Sequence, residues 1–449
     1  MTKKKITIAG AGLVGSLLAC YLGKRGHQVK VFERRPDMRK TTQDGGRSIN
    51  LALSDRGWKA LAGAGLKEVV ENMAIPMRRR VMHDANGEPS YQPYGQEGQA
   101  IYSVSRAGLN ALLMDEAEHY TGVSFHFDQA CQEVDFNCAT TQFQSGLNKE
   151  WQKVEADLLF GTDGAFSAVR TDMQKTDRFN YSQHFIEHGY KELSIPPKPD
   201  GSHRLEREAL HIWPRGNFML IALPNPDGSF TCTLFLAFEG KYAFDKLQSR
   251  QEARSFFEEH FADALKLMDN FDDEWEQNPV SSLVIIRCYP WSKNGKVALL
   301  GDASHAIVPF YGQGMNSGFE DCTVLGELMD QYGDNWPVLL AEFEQQRKPD
   351  ADAIADLAMR NFVEMRDLTG QPEFLLRKKI EARFASRHPD KWIPLYSMVT
   401  FSHIRYSKAL AEGERQDAIM EEVMRMPNIE KRWDSDEVEQ KMIELIESN

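Results

Sequence analysis

The first part of the chain alternates short apolar runs with one amphipathic segment. Residues 6–9 form an apolar run, residues 28–32 alternate between polar and apolar positions, and residues 16–24 between them have helical periodicity. The pattern predicts a strand, a helix and a second strand, which is how a parallel α/β sheet begins. Residues 157–161 and 296–300 are further apolar runs of this buried type.

The pattern changes twice along the chain. Between about residues 179 and 287 the apolar positions alternate with period two, as at 210–213, 218–223 and 230–238, which predicts antiparallel strands. After Met315 the periodicity is helical almost to the end. The predicted fold class is therefore α/β: a Rossmann-type domain, an inserted, mostly antiparallel β-sheet domain, and a C-terminal helical region. We expect these parts to comprise residues 1–70, 101–175 and 291–345; residues 71–100 and 176–290; and residues 346–449.

Composition narrows the possible partners. The 449 residues carry a formal net charge of -13, which argues against nucleic acid or an anionic membrane as the main partner. The six cysteines are scattered without metal-binding spacing, so we expect free thiols in a reducing compartment and no metal. No run of 18 apolar residues occurs, and no spanning helix is expected.

A dinucleotide fingerprint lies between the first strand and the first helix. Gly10, Gly12 and Gly15 follow the G-x-G-x-x-G pattern, and the second strand ends at Glu33. The glycines permit a tight turn, approach of a pyrophosphate and close helix packing, while the acid can bind ribose hydroxyls. Arg34 beside Glu33 suggests a 2′-phosphate, but the acid favours an unphosphorylated ribose, hence FAD or NAD. Residues 45–47 suggest a second loop near the diphosphate.

Residues 301–316 form another candidate site. Asp302 follows an apolar strand, and a loop containing Pro309, Gly312 and Gly314 leads into a helix from about Met315. Such a loop presents free N–H groups and the positive end of a helix dipole to one point. An anion, or a ring that becomes anionic on reduction, needs this environment. A glycine-rich turn with a structural aspartate is an equally good interpretation of this stretch alone.

Three separated motifs together resemble a known family. They are the glycines with Glu33, the Asp163-Gly164 pair with Ser167 and Arg170, and Gly301-Asp302 with Pro309 and Gly314. They are similar to the flavin-binding signatures of the class A flavoprotein monooxygenases, which have the p-hydroxybenzoate hydroxylase fold. Within that class, residues 46–54, 211–215, 230–235, 305–316 and 393–402 resemble members that hydroxylate L-kynurenine. The resemblance extends from residue 6 to about residue 406.

The resemblance implies an activity. We expect tightly bound FAD, NADPH as a transient co-substrate and O2, with L-kynurenine converted to 3-hydroxykynurenine through a flavin C4a-hydroperoxide. No dedicated acid or base is needed because the amino group of the substrate activates its own ring. The preference for NADPH over NADH comes from the family alone. We also expect a cytoplasmic, soluble enzyme of bacterial type, either a monomer or a homodimer.

The resemblance also implies site residues. The substrate carboxylate is expected at Arg80, with Tyr94, Asn361 and Tyr396 around the amino-acid end. The aromatic ring is expected among apolar side chains: Leu210, Ile221, Leu223, Phe235 and Phe310. The loop residues Pro309, Phe310 and Gln313 are expected beside the reacting ring. The expected FAD-binding residues are Gly10, Gly12, Val14, Gly15, Glu33, Arg34, Ala52, Arg106, Asp163, Asp302, Gly314, Met315 and Asn316.

Two other functions fit the same motifs. One is a different enzyme of this fold, a salicylate- or phenol-type hydroxylase or a flavin halogenase, although the W-x-W-x-I-P run of halogenases does not occur. The other is a non-catalytic FAD-loaded redox sensor, in which Arg80 and Tyr396 would be ordinary structural residues.

Overall fold

The computed structural model describes residues 2–40, 50–94, 98–365 and 371–448. The loop that we predicted at residues 45–47 lies outside these ranges. The strands are β1 Lys5–Ala9, β2 Gln28–Phe32, β3 Asn50–Leu53, β4 Ile75–Met77, β5 Arg79–His83, β6 Pro89–Pro93, β7 Ile101–Ser105, β8 Val123–His126, β9 Gln129–Asp135, β10 Thr140–Ser145, β11 Trp151–Glu155, β12 Leu158–Gly161, β13 Asn180–Ile195, β14 Ala209–Pro214, β15 Met219–Pro224, β16 Phe230–Ala237, β17 Val280–Tyr289, β18 Ser292–Lys293 and β19 Val297–Leu299.

The helices connect these strands and form most of the C-terminal part. They are α1 Leu13–Lys24, α2 Asp55–Ala64, α3 Lys67–Glu71, α4 Arg106–Glu118, α5 Ala168–Met173, α6 Arg250–His260, α7 Ala262–Leu265, α8 Phe271–Gln277, α9 Asp302–His305, α10 Gly314–Tyr332, α11 Trp336–Val363, α12 Pro372–Arg387, α13 Leu395–Thr400, α14 Tyr406–Met424, α15 Ile429–Arg432 and α16 Asp436–Ser448. A 3₁₀ turn at Pro309–Tyr311 interrupts the loop before α10.

The first sheet has the order β18-β19-β12-β1-β2-β8 and is parallel except for β18. Its central strands are apolar because helices and other elements cover both faces. The carboxyl ends of β1, β12 and β19 lead into Gly10, Asp163 and Asp302 respectively. Since parallel strands end at one edge of the sheet, the three predicted motifs lie side by side.

The second sheet has the order β17-β13-β16-β15-β14-β5-β6, and only the β14–β5 pair is parallel. Side chains alternate between its faces. His211 and Trp213 point to one face, where Trp213 packs with aromatic residues from α6 and α8, while Leu210 and Ile212 point to the other. The predicted α/β class with an inserted antiparallel sheet is confirmed.

Two details differ from the predicted elements. The alternating residues 77–82 predict one strand with Arg78 and Arg80 on the same face, but the strand is divided at Arg78, whose backbone N–H donates to Glu208 O at 2.9 Å. Arg78 forms an ion pair with Glu208, whereas Arg80 lines the cavity described below. The apolar spacing over residues 262–275 predicts one helix, but this segment is divided into α7 and α8 because the chain turns between them.

The C-terminal helices cover the space between the two sheets. Phe310 and Tyr311 pack in one apolar cluster with Phe362 of α11, Met398 of α13 and Tyr406 of α14. This cluster fixes the 3₁₀ turn between the first sheet and the helical region. A second cluster joins α12, α14 and α16, where Met420 and Met442 are fully buried.

Candidate active site

A cavity of about 810 Å³ lies where the two sheets and the C-terminal helices meet. Most residues predicted to bind cofactor or substrate line it: Gly10, Gly12, Val14, Glu33, Arg34, Ala52, Arg80, Tyr94, Arg106, Asp163, Leu210, Ile221, Leu223, Phe235, Asp302, Pro309, Phe310, Gly314, Met315 and Tyr396. Residues from distant parts of the chain thus share one continuous space.

The fingerprint glycines form one end of the cavity. Gly10 has φ +103°, and a Cβ atom there would lie 2.5 Å from Thr162 O. A Cβ on Gly15 would lie 2.1 Å from Gly10 O, so this glycine serves the close packing of α1 and is not on the cavity wall. At Gly12 the space beyond the backbone is open within 4 Å. A diphosphate can therefore approach the main chain at Gly12.

Glu33 is oriented by its neighbours at the end of β2. Its carboxylate accepts hydrogen bonds from Ala11 N at 2.9 Å and from the Arg35 guanidinium at 2.9 Å. Burial alone would raise the pKa of Glu33, but these donors outweigh it and the pKa is lowered. The ionised carboxylate at the cavity wall can accept further hydrogen bonds from ribose hydroxyls.

Asp302 begins α9 and is accessible from the cavity. The surrounding protein raises its pKa by desolvation, and the positive charge of Arg106 on the same wall opposes that effect. Asp163 differs because its carboxylate accepts from Ser167 Oγ at 2.5 Å and Ala168 N at 2.7 Å. Asp302 thus has more acceptor capacity left for hydroxyl groups of a cofactor.

The start of α10 forms another part of the cavity wall. Gly314 and Met315 reach the cavity, whereas Asn316 lies behind them and is fully buried. The Asn316 amide accepts from Ser54 N at 2.9 Å and donates to Ala52 O at 2.8 Å. This fixes the first turn of α10, whose free N–H groups favour negative charge.

Three arginines follow one another on β5 and its approach, but only Arg80 reaches the cavity. Arg78 and Arg79 form ion pairs with Glu208 and Glu206 at 2.9 and 2.7 Å. None of the described carboxylates forms an ion pair with Arg80. A cation without a counter-charge inside a cavity is costly unless an anion binds beside it.

Tyrosine rings surround this guanidinium. Its carbon lies 4.7 Å from the ring centre of Tyr94 and 4.6 Å from that of Tyr396. The Tyr94 hydroxyl is buried, and no residue within the described ranges accepts a hydrogen bond from it. Burial raises the pKa of Tyr94, so this hydroxyl stays protonated and can donate to a ligand. Tyr311 stacks on Tyr396 at 5.4 Å.

Apolar side chains form much of the remaining wall. Phe310 stacks on Phe362 at 4.2 Å and meets Phe235 at 5.0 Å. Leu210, Ile221 and Leu223 complete this wall on the cavity face of the second sheet. A planar aromatic ring fits a space with such walls.

Four predicted residues lie off the wall. Gly15 and Asn316 are described above. Gln313 is 1% exposed and accepts a hydrogen bond from the Tyr406 hydroxyl at 2.9 Å. Asn361 donates to Phe310 O at 2.6 Å.

The structure also brings residues to the wall that sequence reasoning missed. The following were not singled out: Met77, Tyr190, Met219, Tyr311 and Met365. Their positions depend on packing between distant elements. Period two on β15, where Ile221 and Leu223 were predicted, was the available signal for Met219.

The comparisons with known proteins agree with this geometry. The family model described as FAD binding domain matches residues 3–358. The chain is therefore an FAD-binding protein, and its fold and cavity define it as a flavoprotein of the aromatic hydroxylase class. A protein of Christiangramia forsetii named kynurenine 3-monooxygenase is 52% identical over 99% of both chains. One of Anopheles gambiae with the same name is 45% identical over 93% of this chain and 86% of its own. The chain belongs to the kynurenine 3-monooxygenase family.

Solved structures support the fold. The tetrameric form of 2-methyl-3-hydroxypyridine-5-carboxylic acid oxygenase has a TM-score of 0.69 at 19% identity and covers 85% of this chain and 97% of its own. PqsL of Pseudomonas aeruginosa in complex with 2-aminobenzoylacetate has a TM-score of 0.66 at 18% identity and covers 82% of this chain and 97% of its own. None of the helices in the described ranges has the length and apolarity needed to span a membrane.

Proposed function

We propose that this chain is an FAD-dependent monooxygenase that converts L-kynurenine to 3-hydroxykynurenine with NADPH and O2. The observation that carries the substrate assignment is Arg80, a guanidinium without a described carboxylate partner, located between two tyrosine rings at the apolar end of the FAD cavity. L-Kynurenine combines an α-carboxylate with an aryl ketone. The carboxylate would pair with the Arg80 guanidinium, and the aryl ring would pack against the apolar wall.

The cofactor fits the residues at the opposite end. Gly12 has open space beyond its backbone where a diphosphate would fit, and Glu33 and Asp302 line the same cavity, where they would bind the ribose and the ribityl hydroxyls. FAD held there would supply the redox chemistry with NADPH and O2. The N–H groups in the first turn of α10, at Gly314 and Met315, would favour negative charge on the ring system.

The protein contributes positioning and exclusion of water. Arg80 and Tyr94 hold the amino-acid end, and the substrate ring packs against Phe310 and Phe235. The C-terminal helices close the cavity on that side, which keeps water from the reacting atoms. No side chain is required as a dedicated base, because the ortho-amino group of the substrate activates the ring carbon.

The same geometry supports a division of the chain. We assign residues 1–70, 101–175 and 291–345 to FAD binding, residues 71–100 and 176–290 to the substrate sheet, and residues 346–449 to the helical cover. The oligomeric state and the cellular location stay predictions; size-exclusion chromatography with light scattering would decide between monomer and homodimer.

The activity test uses the purified FAD-loaded protein. NADPH oxidation should accelerate strongly with L-kynurenine, and 3-hydroxykynurenine should form in proportion to the NADPH consumed. Salicylate, phenol and p-hydroxybenzoate serve as comparison substrates. Acceleration by one of these with no response to L-kynurenine would assign another hydroxylase activity. No turnover with any aryl substrate would favour the redox-sensor function.

A further inference from the structure

Tyr406 connects the C-terminal helical region to the flavin end of the cavity. It is the first residue of α14 and is fully buried. Its hydroxyl donates to Gln313 Oε1 at 2.9 Å, across 93 residues of chain. Burial raises the pKa of Tyr406, so the hydroxyl remains a donor at neutral pH.

Gln313 is the N-cap residue of α10. It precedes Gly314 and Met315, which line the cavity. The Gln313 side-chain oxygen has one other donor in the described residues, Ser54 Oγ, at the longer distance of 3.4 Å. The orientation of this amide therefore depends mainly on Tyr406.

The tyrosine is itself held rigidly. The Arg56 guanidinium carbon lies 3.9 Å from the centre of the Tyr406 ring. Arg56 is 1% exposed and also bonds to the Glu320 carboxylate and to Ile404 O. Arg56 thus ties α2, α10 and the segment before α14 together around one phenol ring.

We propose that Tyr406 is a positioning residue for the flavin: its hydrogen bond to Gln313 restrains the residue whose carbonyl accepts the first hydrogen bond of α10, from Ser317 N at 2.8 Å, and this raises the rate at which the flavin is reduced. The physical reason is that fixed N–H dipoles stabilise developing negative charge better than mobile ones. The C-terminal region then tunes the cofactor in addition to covering the substrate. This inference rests on the proposed position of the flavin beside Gly314 and Met315.

The test variant is Tyr406→Phe, which keeps the ring under Arg56 and removes only the hydroxyl. Tyr332→Phe at the other end of α10 is the matched control. Both are prepared with FAD. Three quantities are measured: the visible absorption spectrum, the midpoint potential by anaerobic dye equilibration, and the anaerobic rate of flavin reduction by NADPH with and without L-kynurenine.

We expect Tyr406→Phe to retain FAD, with a shifted flavin absorption band, a more negative midpoint potential and a reduction rate about 5- to 10-fold lower, the range expected when one fixed hydrogen bond is lost. Tyr332→Phe should match the wild type. A Tyr406→Phe protein with reduced thermal stability but wild-type spectrum, potential and reduction rate would show that the residue is only structural and would overturn the proposal.

A second variant tests whether the effect passes through Gln313. Gln313→Met removes the acceptor at similar size, and the double variant with Tyr406→Phe should be no slower than Gln313→Met alone. Additive losses would contradict the proposed route. The spectrum and potential are measured without substrate, so failure of the kynurenine assignment would leave this test intact.

Discussion

Arg80 gives the sharpest test of how the cavity recognises its substrate. The variant Arg80→Met keeps a chain of similar reach but removes the charge. Truncating one member of a buried, hydrogen-bonded ion pair costs about 2–5 kcal/mol. We take the loss of binding free energy for this partly buried arginine as about 3 kcal/mol. Because 1.4 kcal/mol corresponds to a factor of ten in Kd, the Kd of L-kynurenine should rise about 150-fold.

The loss should depend on the substrate carboxylate. The decarboxylated analogue of L-kynurenine lacks the group that Arg80 binds, so it should bind wild-type protein weakly. Its Kd should barely change, or improve, in Arg80→Met, because its ammonium no longer faces a guanidinium. The two changes together form a double-mutant cycle with a coupling energy of about 3 kcal/mol.

The assay is a titration of the flavin absorption change without NADPH, which reports binding apart from turnover. Arg79→Met is the matched control, because Arg79 lies next in sequence but is paired with Glu206 at the surface. FAD occupancy should be unchanged in both variants. Equal loss of affinity for L-kynurenine and for its decarboxylated analogue would refute the reasoning. Loss of FAD from Arg80→Met would place this residue in the cofactor site.

Three further predictions concern packing and protonation. Phe310→Ala removes the stacked contact with Phe362, so the amount of hydrogen peroxide formed per NADPH oxidised should rise several-fold while FAD is retained. A peroxide assay measures this ratio, and loss of FAD from the variant would contradict the prediction. Burial lowers the pKa of Lys191 to about 8, and the cost of the buried ammonium is complete below that pH. Lys191→Met removes this cost together with the contact with Trp275 and the hydrogen bond to Asn278 O, so the free energy of unfolding of the variant relative to wild type should fall by about 2 kcal/mol between pH 7 and pH 10.5 in denaturant titrations; a difference that stays constant with pH would contradict this. Burial also lowers the pKa of His211 from 6.5 to about 4, so only the unfolded state takes up its proton as pH falls through 6.5. The variant His211→Gln keeps a hydrogen-bond donor and an acceptor but does not titrate. Relative to it, the free energy of unfolding of the wild type should fall by about 2 kcal/mol between pH 7.5 and pH 5; equal pH dependence of the two proteins would refute this.

The cofactor end of the cavity was predictable because its signals are local. Gly10, Gly12 and Glu33 lie within one strand–helix–strand unit, and the geometry of that unit is fixed by backbone conformation. Asp302 follows a parallel strand, and the ends of parallel strands meet by topology. In such cases a short stretch of sequence determines where the side chain lies.

The substrate end depends on contacts between distant segments. Gln313 was expected beside the substrate, but its amide is bound by Tyr406 and lies off the cavity wall. Asn361 was expected around the amino-acid end, and its amide binds the backbone of Phe310, 51 residues away. Tyr311 lies within the predicted stretch 301–316, but no role was assigned to it. Periodicity describes one element at a time and carries no information on how α11 and α14 pack against the loop.

The loop between α9 and α10 contributes to both proposed parts of the cavity. Asp302 at its start and Gly314 at its end line the part that we assign to the cofactor, whereas Phe310 in its middle lines the part that we assign to the substrate. Gly312 has φ +67°, and a Cβ there would lie 3.1 Å from Ala52 Cβ, so the return of the loop to the cofactor requires glycine.

Side chains from three directions hold this loop. Asn361 of α11 binds Phe310 O, Asn316 of α10 binds Gly312 O at 2.9 Å, and Tyr406 of α14 binds Gln313. Each contact restrains a different residue, so we expect loss of each contact to impair a different step of the reaction. Loss of the Asn361 contact should displace the substrate wall and increase peroxide formation, whereas loss of the Tyr406 contact should slow reduction of the flavin. A variant of either contact that changes both quantities in a fixed ratio would mean that the loop moves as one rigid unit.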